Sequence, residues 1–514
     1  MDALFGHTGF VGGHLKENLN PKTTHYFSSR NGRSAKGKYF NNIYCACIPG
    51  SKWEANNDPE GDLASINSIM NVLTSLMCKK ITLISTIEVH DRNHQMQDEE
   101  CQYPSKEPYG KNRLYVEKTL RDKFGDKLTI IRLPELFGVG MKKNVLYDIL
   151  NDNMIFNVNV NTVYQWYPLH WLWEDMDRYR SVDGNIVNLY PEPIETSDIV
   201  HMFFPEKEEK LKYGDRIFYN QSSKHTHLKH RQITVLKEME LFTSAYKKLW
   251  SGSNSEIKRL VVSNMAWDPC YDGHAIFLMK KYGIQNVELI PTKYASWDTI
   301  LNYKPTFHEK FIKADIDVYS IQSILHDVEG SFFDGTTTIV DHLNKVMKVC
   351  EYIGASIVVM GSPTKRKRTD KKKPLSYYEG VLGDSLDKVQ GDSNVQICLE
   401  PNSSRYGAEI GKTLEECDRI AKDKKFALNF DTGNYILEND KSCLVDSIKH
   451  CQMSAPMLRP IRKNDYVSIK NGITGYHIKN LENDTKISME AKVTHIETLG
   501  EHIRRFCIHA SEYL

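Results

Sequence analysis

Four polar residues in the second half of the chain close, or sit within, short apolar runs. Val395-Gln-Ile-Cys-Leu-Glu400 and Ala427-Leu-Asn-Phe-Asp431 end in carboxylates. Gly475-Tyr-His477-Ile-Lys479 carries an imidazole, and Ile487-Ser-Met-Glu490 adds a third carboxylate. A lone residue of this kind at a strand end is usually structural. Four in order, on what read as consecutive strands, form a donor set for a divalent cation. Three carboxylates and one imidazole suit Mn²⁺ best, with Mg²⁺, Co²⁺ and Zn²⁺ as alternatives.

A second group opens the chain. Gly6-His-Thr8-Gly9-Phe10-Val11-Gly12 follows a short apolar run and precedes a helical one. Glycines at this spacing permit a tight turn and close approach of backbone to a pyrophosphate, at a helix N-terminus that offers free N–H groups. About 20 residues on, where an acidic residue would hold the ribose hydroxyls of NAD, stand Ser28, Ser29 and Arg30. That arrangement accommodates a 2′-phosphate and favours NADP. Further along, Ile81-Thr-Leu-Ile-Ser85-Thr86 ends in hydroxyls, and Tyr109-Gly-Lys-Asn-Arg113 is helical in pattern. A tyrosine and a cation four apart share a helix face. The cation lowers the phenol pKa so that Tyr109 can exchange a proton with an alcohol or carbonyl, and the Thr86 hydroxyl can hold that oxygen.

These motifs, with Ile131-Arg132-Leu-Pro134-x-Leu-Phe-Gly138, resemble the extended short-chain dehydrogenase/reductase family, the nucleotide-sugar epimerase and dehydratase group. The resemblance spans roughly residues 1–240. It implies a Rossmann-type doubly wound parallel sheet. It gives Thr86 the place of the active-site hydroxyl, Tyr109 that of the catalytic tyrosine, and Arg113 that of the family's lysine. Gly6, Thr8, Gly9, Phe10, Val11, Gly12, Ser28, Ser29, Arg30, Tyr109 and Arg113 would hold NADP or NAD. About 250 residues is short for this family, so the substrate-binding part, roughly 140–225, is expected to be trimmed and to use Asn144, Gln165 and Tyr167.

The elements that must position the first group come next. Ser251-Gly-Ser-Asn-Ser255 is a small polar linker. The expected division is residues 1–250, a linker at 251–256, and 257–514, the last close to the ~250 residues of a β/α barrel. Eight apolar runs are candidate strands: Leu260–Asn264, Val287–Pro291, Asp317–Ile324, Ala355–Met360, Val395–Glu400, Ala427–Asp431, Gly475–Ile478 and Lys486–Glu490. They predict a closed (β/α)8 barrel whose strand C-terminal ends form the site. The series resembles the xylose-isomerase-like barrels, over about 257–510. By that resemblance Glu400, Asp431, His477 and Glu490 are the metal set, and Glu400 and Glu490 also serve as acid and base. Asn434 stands where one branch of the family has a histidine.

The resemblance implies a chemistry. A divalent ion chelates a ketose-like substrate, one glutamate removes the proton α to the carbonyl, and the other returns a proton to the enediolate. The chain is expected to be a bifunctional carbohydrate-modifying enzyme: an NAD(P)-dependent oxidoreductase/epimerase joined to a metal-dependent sugar (phosphate) isomerase/epimerase. Two alternatives stand beside it. The N-terminal half could be a nucleotide-binding regulatory module without turnover, or the barrel an endonuclease-IV-like DNA repair enzyme.

Composition bounds these readings. Lys plus Arg is 67 and Asp plus Glu is 66, a net charge of +1 that disfavours a chain-wide nucleic-acid footprint. Mean hydropathy is −0.49, and no stretch is long and apolar enough for a membrane helix. Eleven scattered cysteines without a CxxC read as reduced thiols of a cytoplasmic protein, and no signal peptide is expected before the first strand. The expected partner is a small-molecule sugar, sugar phosphate or nucleotide sugar, and association with a second copy is left open. The basic run Lys365-Arg-Lys-Arg368-Thr-Asp-Lys371-Lys-Lys373 is open to several readings: a solvated loop, a phosphate-gripping lid, a nuclear-localisation patch or a nucleic-acid contact.

Overall fold

The computed structural model describes residues 1–179, 186–225, 230–251, 256–443, 445–459, 461–462, 464–466, 469 and 473–514. Two compact units divide the chain, Met1–Lys247 and Lys248–Leu514. Of the expected linker, residues 252–255 lie outside the described ones.

In the first unit the strands are β1 (Asp2–Phe5), β2 (Thr24–Phe27), β3 (Tyr39–Cys45), β4 (Met77–Thr86), β5 (Leu128–Leu133), β6 (Glu135–Phe137), β7 (Thr162–Pro168), β8 (Ile186–Asn188), β9 (Pro193–Glu195) and β10 (Ile217–Phe218). Six of them form one parallel sheet in the order β2-β1-β3-β4-β5-β8. The chain order reverses at β1, so a crevice opens beyond the carboxyl ends of β1 and β3, where ligands of doubly wound sheets bind. Alternation along β1 shows why both faces are covered. Ala3 and Phe5 join a core with Ile66 and Met70 of α3 (Pro59–Leu73), which follows the short α2 (Lys52–Asn57), and Leu120 of α4 (Pro108–Phe124). Leu4 points the other way, into a core with Leu15 of α1 (Phe10–Glu17), Ile131 and Leu172. Each of the larger of these buried side chains, the Leu, Ile, Met and Phe, contributes about 1.5–3 kcal/mol. A smaller sheet, β10-β7-β6 with β9 antiparallel to β7, lies within the same unit.

The second unit is a closed parallel barrel of eight strands: β11 (Leu260–Ser263), β12 (Asn286–Leu289), β13 (Asp317–Ile321), β14 (Ile357–Met360), β15 (Gln396–Leu399), β16 (Ala427–Asp431), β17 (Ile448–Met453) and β18 (Lys486–Met489). Pairing of Leu260 with Ile487 closes the ring. Seven strands coincide with the apolar runs of the sequence. The expected strand at Gly475–Ile478 does not exist: these residues lie in a helix, Ile473–Lys479. The true seventh strand is β17. It was masked by its composition, because His450 and Gln452 point into the barrel and bond to the buried Glu288 carboxylate at 2.9 and 3.1 Å. Gln322, Ser320 and Ser488 complete that network at 2.7, 2.9 and 3.2 Å. A strand whose inward residues are polar carries no apolar signature.

Among the described residues no helix is long and apolar enough to cross a membrane. All eleven cysteines are free thiols.

Candidate active sites

The glycine turn follows β1 directly. Gly6 sits at φ +86°, and a Cβ there would lie 2.2 Å from the Ala46 carbonyl oxygen, against β3. A Cβ on Gly12 would lie 2.0 Å from the Gly6 carbonyl oxygen. Only glycine permits this contact between the turn and α1. Gly9 caps α1 without a side-chain bond, so no cap side chain occupies the first-turn N–H groups of Phe10, Val11 and Gly12. Thr8 is exposed beside them. At the end of β2, Asn31 accepts from the Ser28 N–H at 2.7 Å and orders the Ser28–Arg30 turn, with Ser29 and Arg30 exposed.

Thr86 ends β4, and its hydroxyl accepts from the Glu88 N–H at 3.3 Å. Tyr109 lies in the first turn of α4, held by a 3.0 Å bond from its N–H to Asn56. Arg113 is one turn on, buried, with its guanidinium carbon 3.9 Å from the Tyr109 ring centroid. Its two terminal nitrogens donate to the Asp62 carboxylate and the Pro49 carbonyl. The cation therefore stacks on the phenol ring and is held by Asp62 and Pro49. Burial raises the Tyr109 pKa, Arg113 opposes this, and Glu88 and Glu135 reinforce it.

Glu135 went unnoticed in the sequence. It begins β6, beside the Lys52–Glu88 ion pair of 2.8 Å and the stacked rings of Tyr164 and Tyr219, 5.3 Å apart. Burial first, and the Glu88 charge second, push its carboxyl up to about 7, with Lys52 opposing. The only sequence signal was a carboxylate directly after Arg132-Leu-Pro134. The residues expected to contact substrate are otherwise engaged. Gln165 bonds Pro191 and Gln221 carbonyls, Tyr167 donates to Asp175 at 2.6 Å, and Asn144 caps the helix Val145–Asn151. Tyr164, from the same strand as Gln165 and Tyr167, is the one whose hydroxyl feels the Glu135 charge, which adds to burial in raising its pKa.

In the second unit, Glu400, Asp431 and Glu490 line one cavity of about 230 Å³ at the C-terminal ends of the barrel strands. Glu400 follows β15, Asp431 ends β16 and Glu490 follows β18. Glu400 accepts from the Asn402 and Asn434 amides, each at 2.7 Å. Asp431 accepts from the Asn434 N–H at 2.6 Å and from the Ser454 hydroxyl at 3.0 Å. Ser454 is where the seventh strand delivers its side chain to the mouth. Glu490 is hydrogen-bonded to Asp431.

Crowding sets the protonation of this trio. Burial, then the Asp431 charge, push Glu400 up to about 8, with Arg366 opposing. The same two causes, with Glu400 added, hold Glu490 well above the carboxylate range. Burial raises Asp431 as well, while the Asn434 N–H, Glu490 and Ser454 oppose the rise. The three cannot all be ionised together. Burial and mutual repulsion hold protons on the trio, most strongly on Glu490, while hydrogen bonds favour charge on Asp431, and Glu400 is pushed up to about 8.

The closed eight-stranded parallel barrel is similar to one family: residues 276–501 match a family model described as a xylose isomerase-like TIM barrel. No curated protein matches the chain in sequence. Among solved structures, the UDP-N-acetylglucosamine 4-epimerase from Methanobrevibacter ruminantium M1 is 11% identical, with 47% of this chain and 96% of that one covered, at a TM-score of 0.39. A UDP-glucuronic acid 4-epimerase from Bacillus cereus gives 14%, 46%, 90% and 0.35. DesIV, a dTDP-glucose 4,6-dehydratase from Streptomyces venezuelae, gives 10%, 48%, 97% and 0.41.

Within this barrel the expected fourth ligand is misplaced. His477, on its helix, is buried with its ring edge-on to Phe430 and Tyr435, and Nε2 lies 3.1 Å from the Ser442 carbonyl. It does not line the cavity. Among the described residues no three His, Cys, Asp or Glu side chains stand in a metal-holding arrangement. The residues present do not fit the expected four-ligand centre: three carboxylates assemble, bonded to amides, a hydroxyl and one another, and the imidazole does not join them.

Proposed function

We propose that the chain is a two-site carbohydrate enzyme. The first unit is an NAD(P)-dependent oxidoreductase/epimerase of a sugar or nucleotide sugar, and the barrel enolises a keto-sugar as an isomerase or epimerase. The observation that carries this reading is the convergence of Glu400, Asp431 and Glu490 on one cavity, with Glu400 titrating near neutrality. A group with its pKa near the working pH is suited to take and give back a proton. Ionised Glu400 removes the proton α to the carbonyl. Glu490, holding a proton, delivers it to the enediolate at the other carbon or opposite face. Asp431 keeps Glu490 protonated, and the Asn402 and Asn434 amides orient Glu400.

In the first unit the Gly6–Gly12 turn holds the pyrophosphate, the exposed Arg30 meets a 2′-phosphate, and Tyr109 with Thr86 handles the substrate oxygen. A ketone made there acidifies neighbouring C–H bonds, which is the substrate property the barrel needs. The test is solvent deuterium incorporation into keto-sugars by the full-length protein. Glu400→Gln and Glu490→Gln should each abolish it, and retention of exchange in both sinks the barrel reading.

Two observations favour second readings. Three carboxylates on one cavity, though not in a metal-holding arrangement as they stand, supply oxygen donors of the kind a hard divalent cation, Mn²⁺ or Mg²⁺, takes, and Co²⁺ and Zn²⁺ lose their imidazole. Titration with Mn²⁺ followed by its electron paramagnetic resonance signal decides whether such an ion binds. The anchoring of Arg113 by Asp62 and Pro49 favours a first unit that binds a nucleotide without turning it over. Bound NADP that no nucleotide sugar reduces or oxidises, together with unchanged barrel exchange in Tyr109→Phe, is its signature.

A further inference from the structure

One buried carboxylate of the second unit stands outside the trio. Glu288, on β12, is fully buried and accepts hydrogen bonds at both oxygens. Gln322, Gln452 and Ser488 reach one oxygen at 2.7, 3.1 and 3.2 Å. Ser320 and His450 reach the other, both at 2.9 Å. Burial alone would raise its pKa, and the bonds from His450, Gln452 and Ser320 outweigh burial and lower it. The group is therefore ionised and has no hydrogen of its own to give.

Of these donors, Gln322 is the one that also lines the cavity. It follows β13 directly, donates its backbone N–H to the Leu289 carbonyl at 3.0 Å, and is 5% exposed. Its side-chain nitrogen donates to Glu288 at 2.7 Å and to the Ser263 hydroxyl at 2.8 Å. An amide nitrogen carries two hydrogens, so both are committed. The reverse orientation would set the amide oxygen against a carboxylate, which cannot donate to it. What Gln322 offers the cavity is therefore its oxygen, an acceptor. The other side-chain amides of the lining are spent at both ends. Asn402 accepts from Arg366 and donates to Glu400 at 2.7 Å, and Asn434 accepts from the Ser403 N–H at 3.4 Å and donates to Glu400 at 2.7 Å. Placement adds a second point. β13 is third in the ring, while Glu400, Asp431 and Glu490 stand at the ends of the fifth, sixth and eighth strands, around the strand opposite it. The amide oxygen faces the trio from across the mouth.

We propose that Gln322 orients the barrel's ligand: its amide oxygen accepts a hydrogen bond from one ligand hydroxyl, and Glu288 with Ser263 holds the amide in the one orientation that can do so. This rests on the carbohydrate reading of the cavity and adds a residue that the proton-transfer scheme does not use. The trio acts at the reacting carbons. Gln322 grips a donor on the far side, so the ligand is fixed from two directions. A ligand without that hydroxyl leaves the amide oxygen buried and unpaired, and one with a carbonyl or carboxylate there sets oxygen against oxygen. Selection between sugars that differ at a single hydroxyl follows. Glu288 is a positioning residue that acts through Gln322.

The experiment uses the full-length protein and four probes, D-fructose, D-psicose, D-tagatose and D-sorbose. Binding is measured by calorimetric titration, and deuterium uptake from D₂O is followed by NMR. For the probe bound most tightly, analogues lacking one hydroxyl each are compared in the wild type and in Gln322→Met. The expected result is one deoxy analogue bound about 10-fold more weakly than its parent by the wild type, and no such difference in Gln322→Met, which binds the parent about 10-fold more weakly. A general loss of packing would weaken parent and analogues alike. An unchanged set of analogue ratios in folded Gln322→Met therefore overturns the proposal, as does a wild type that binds none of the probes. A crystal structure of the wild-type complex needs no variant. It should place a ligand hydroxyl within hydrogen-bond distance of the Gln322 amide oxygen, and a ligand seated away from that oxygen refutes the role. Glu288→Gln should narrow the same analogue ratio with Gln322 in place, and a folded variant of wild-type selectivity removes Glu288 from it. Coupled binding without deuterium exchange sinks the proton-transfer reading and leaves the orienting role standing. Exchange without coupling does the reverse.

Discussion

Replacing Arg366 by alanine should destabilise the barrel by about 3–5 kcal/mol and spare the first unit. The guanidinium is fully buried and donates to two carbonyls and one amide oxygen. Hydrogen bonds to a charged donor contribute about 1.5–3 kcal/mol each, and three orphaned buried acceptors would suggest a larger total. The wild type, however, already bears the cost of burying the cation: burial lowers the Arg366 pKa. Alanine relieves that cost, which brings the net toward the 3–5 kcal/mol typical of removing one member of a buried charged group. At about 2–4 °C per kcal/mol for a unit of this size, the barrel transition should fall by about 6–20 °C. Calorimetry of the full chain is the assay, with the first unit's transition as internal reference. Arg366→Lys should lose about half as much, since one ammonium can satisfy only part of the fork. A second readout is chemical. Arg366 opposes the rise in the Glu400 pKa, so its loss should move the ionisation of Glu400 to more alkaline pH. A barrel transition displaced by less than about 3 °C, with the pH dependence unmoved, would refute this role of Arg366.

Further outcomes are expected. Glu135 has its folded pKa raised from 4.5 to about 7, so the native state binds its proton more tightly than the unfolded chain. Its contribution is present in full below about pH 4.5 and is lost as pH rises through 7, and Glu135→Gln should flatten that limb of the first unit's thermal stability. Gly12→Ala should abolish dinucleotide binding in a fluorescence titration, because the new Cβ meets the Gly6 carbonyl at 2.0 Å; wild-type affinity would show that the turn is not the cofactor site. His477→Asn should lower barrel stability by about 1–2 kcal/mol through lost packing and a lost hydrogen bond, with deuterium exchange unchanged. A loss of exchange at unchanged stability would return His477 to the chemistry.

How much of this could be read from the chain depends on where each signal lay. The glycine turn, β4 with its terminal hydroxyls, and the carboxylates closing β15, β16 and β18 were legible because apolar strands with a polar last residue stand out against their flanks. The seventh barrel strand was not, because its inward residues His450 and Gln452 serve the buried Glu288 and break the apolar pattern. Gly475-Tyr-His477-Ile478 read as the missing strand because it is short and aromatic, and its helical state comes from tertiary packing. The anchoring of Arg113 by Asp62 was also invisible, since the partner lies 51 residues away on another helix. Glu135 had only a weak local sign, a carboxylate directly after Arg132-Leu-Pro134: its environment is assembled from Lys52, Glu88, Tyr164 and Tyr219, four separate segments.

The Glu288 network bears on how the barrel can be assembled and divided. One carboxylate on the second strand depends on donors that arrive 162 to 200 residues later, His450, Gln452 and Ser488. Until those last strands close, the early strands enclose a charge without most of its partners, so a growing or truncated barrel gains little by collapsing around it. The ring should therefore form in one late, concerted step, and fragments cut between β16 and β17 should remain unfolded alone and recover structure only when recombined.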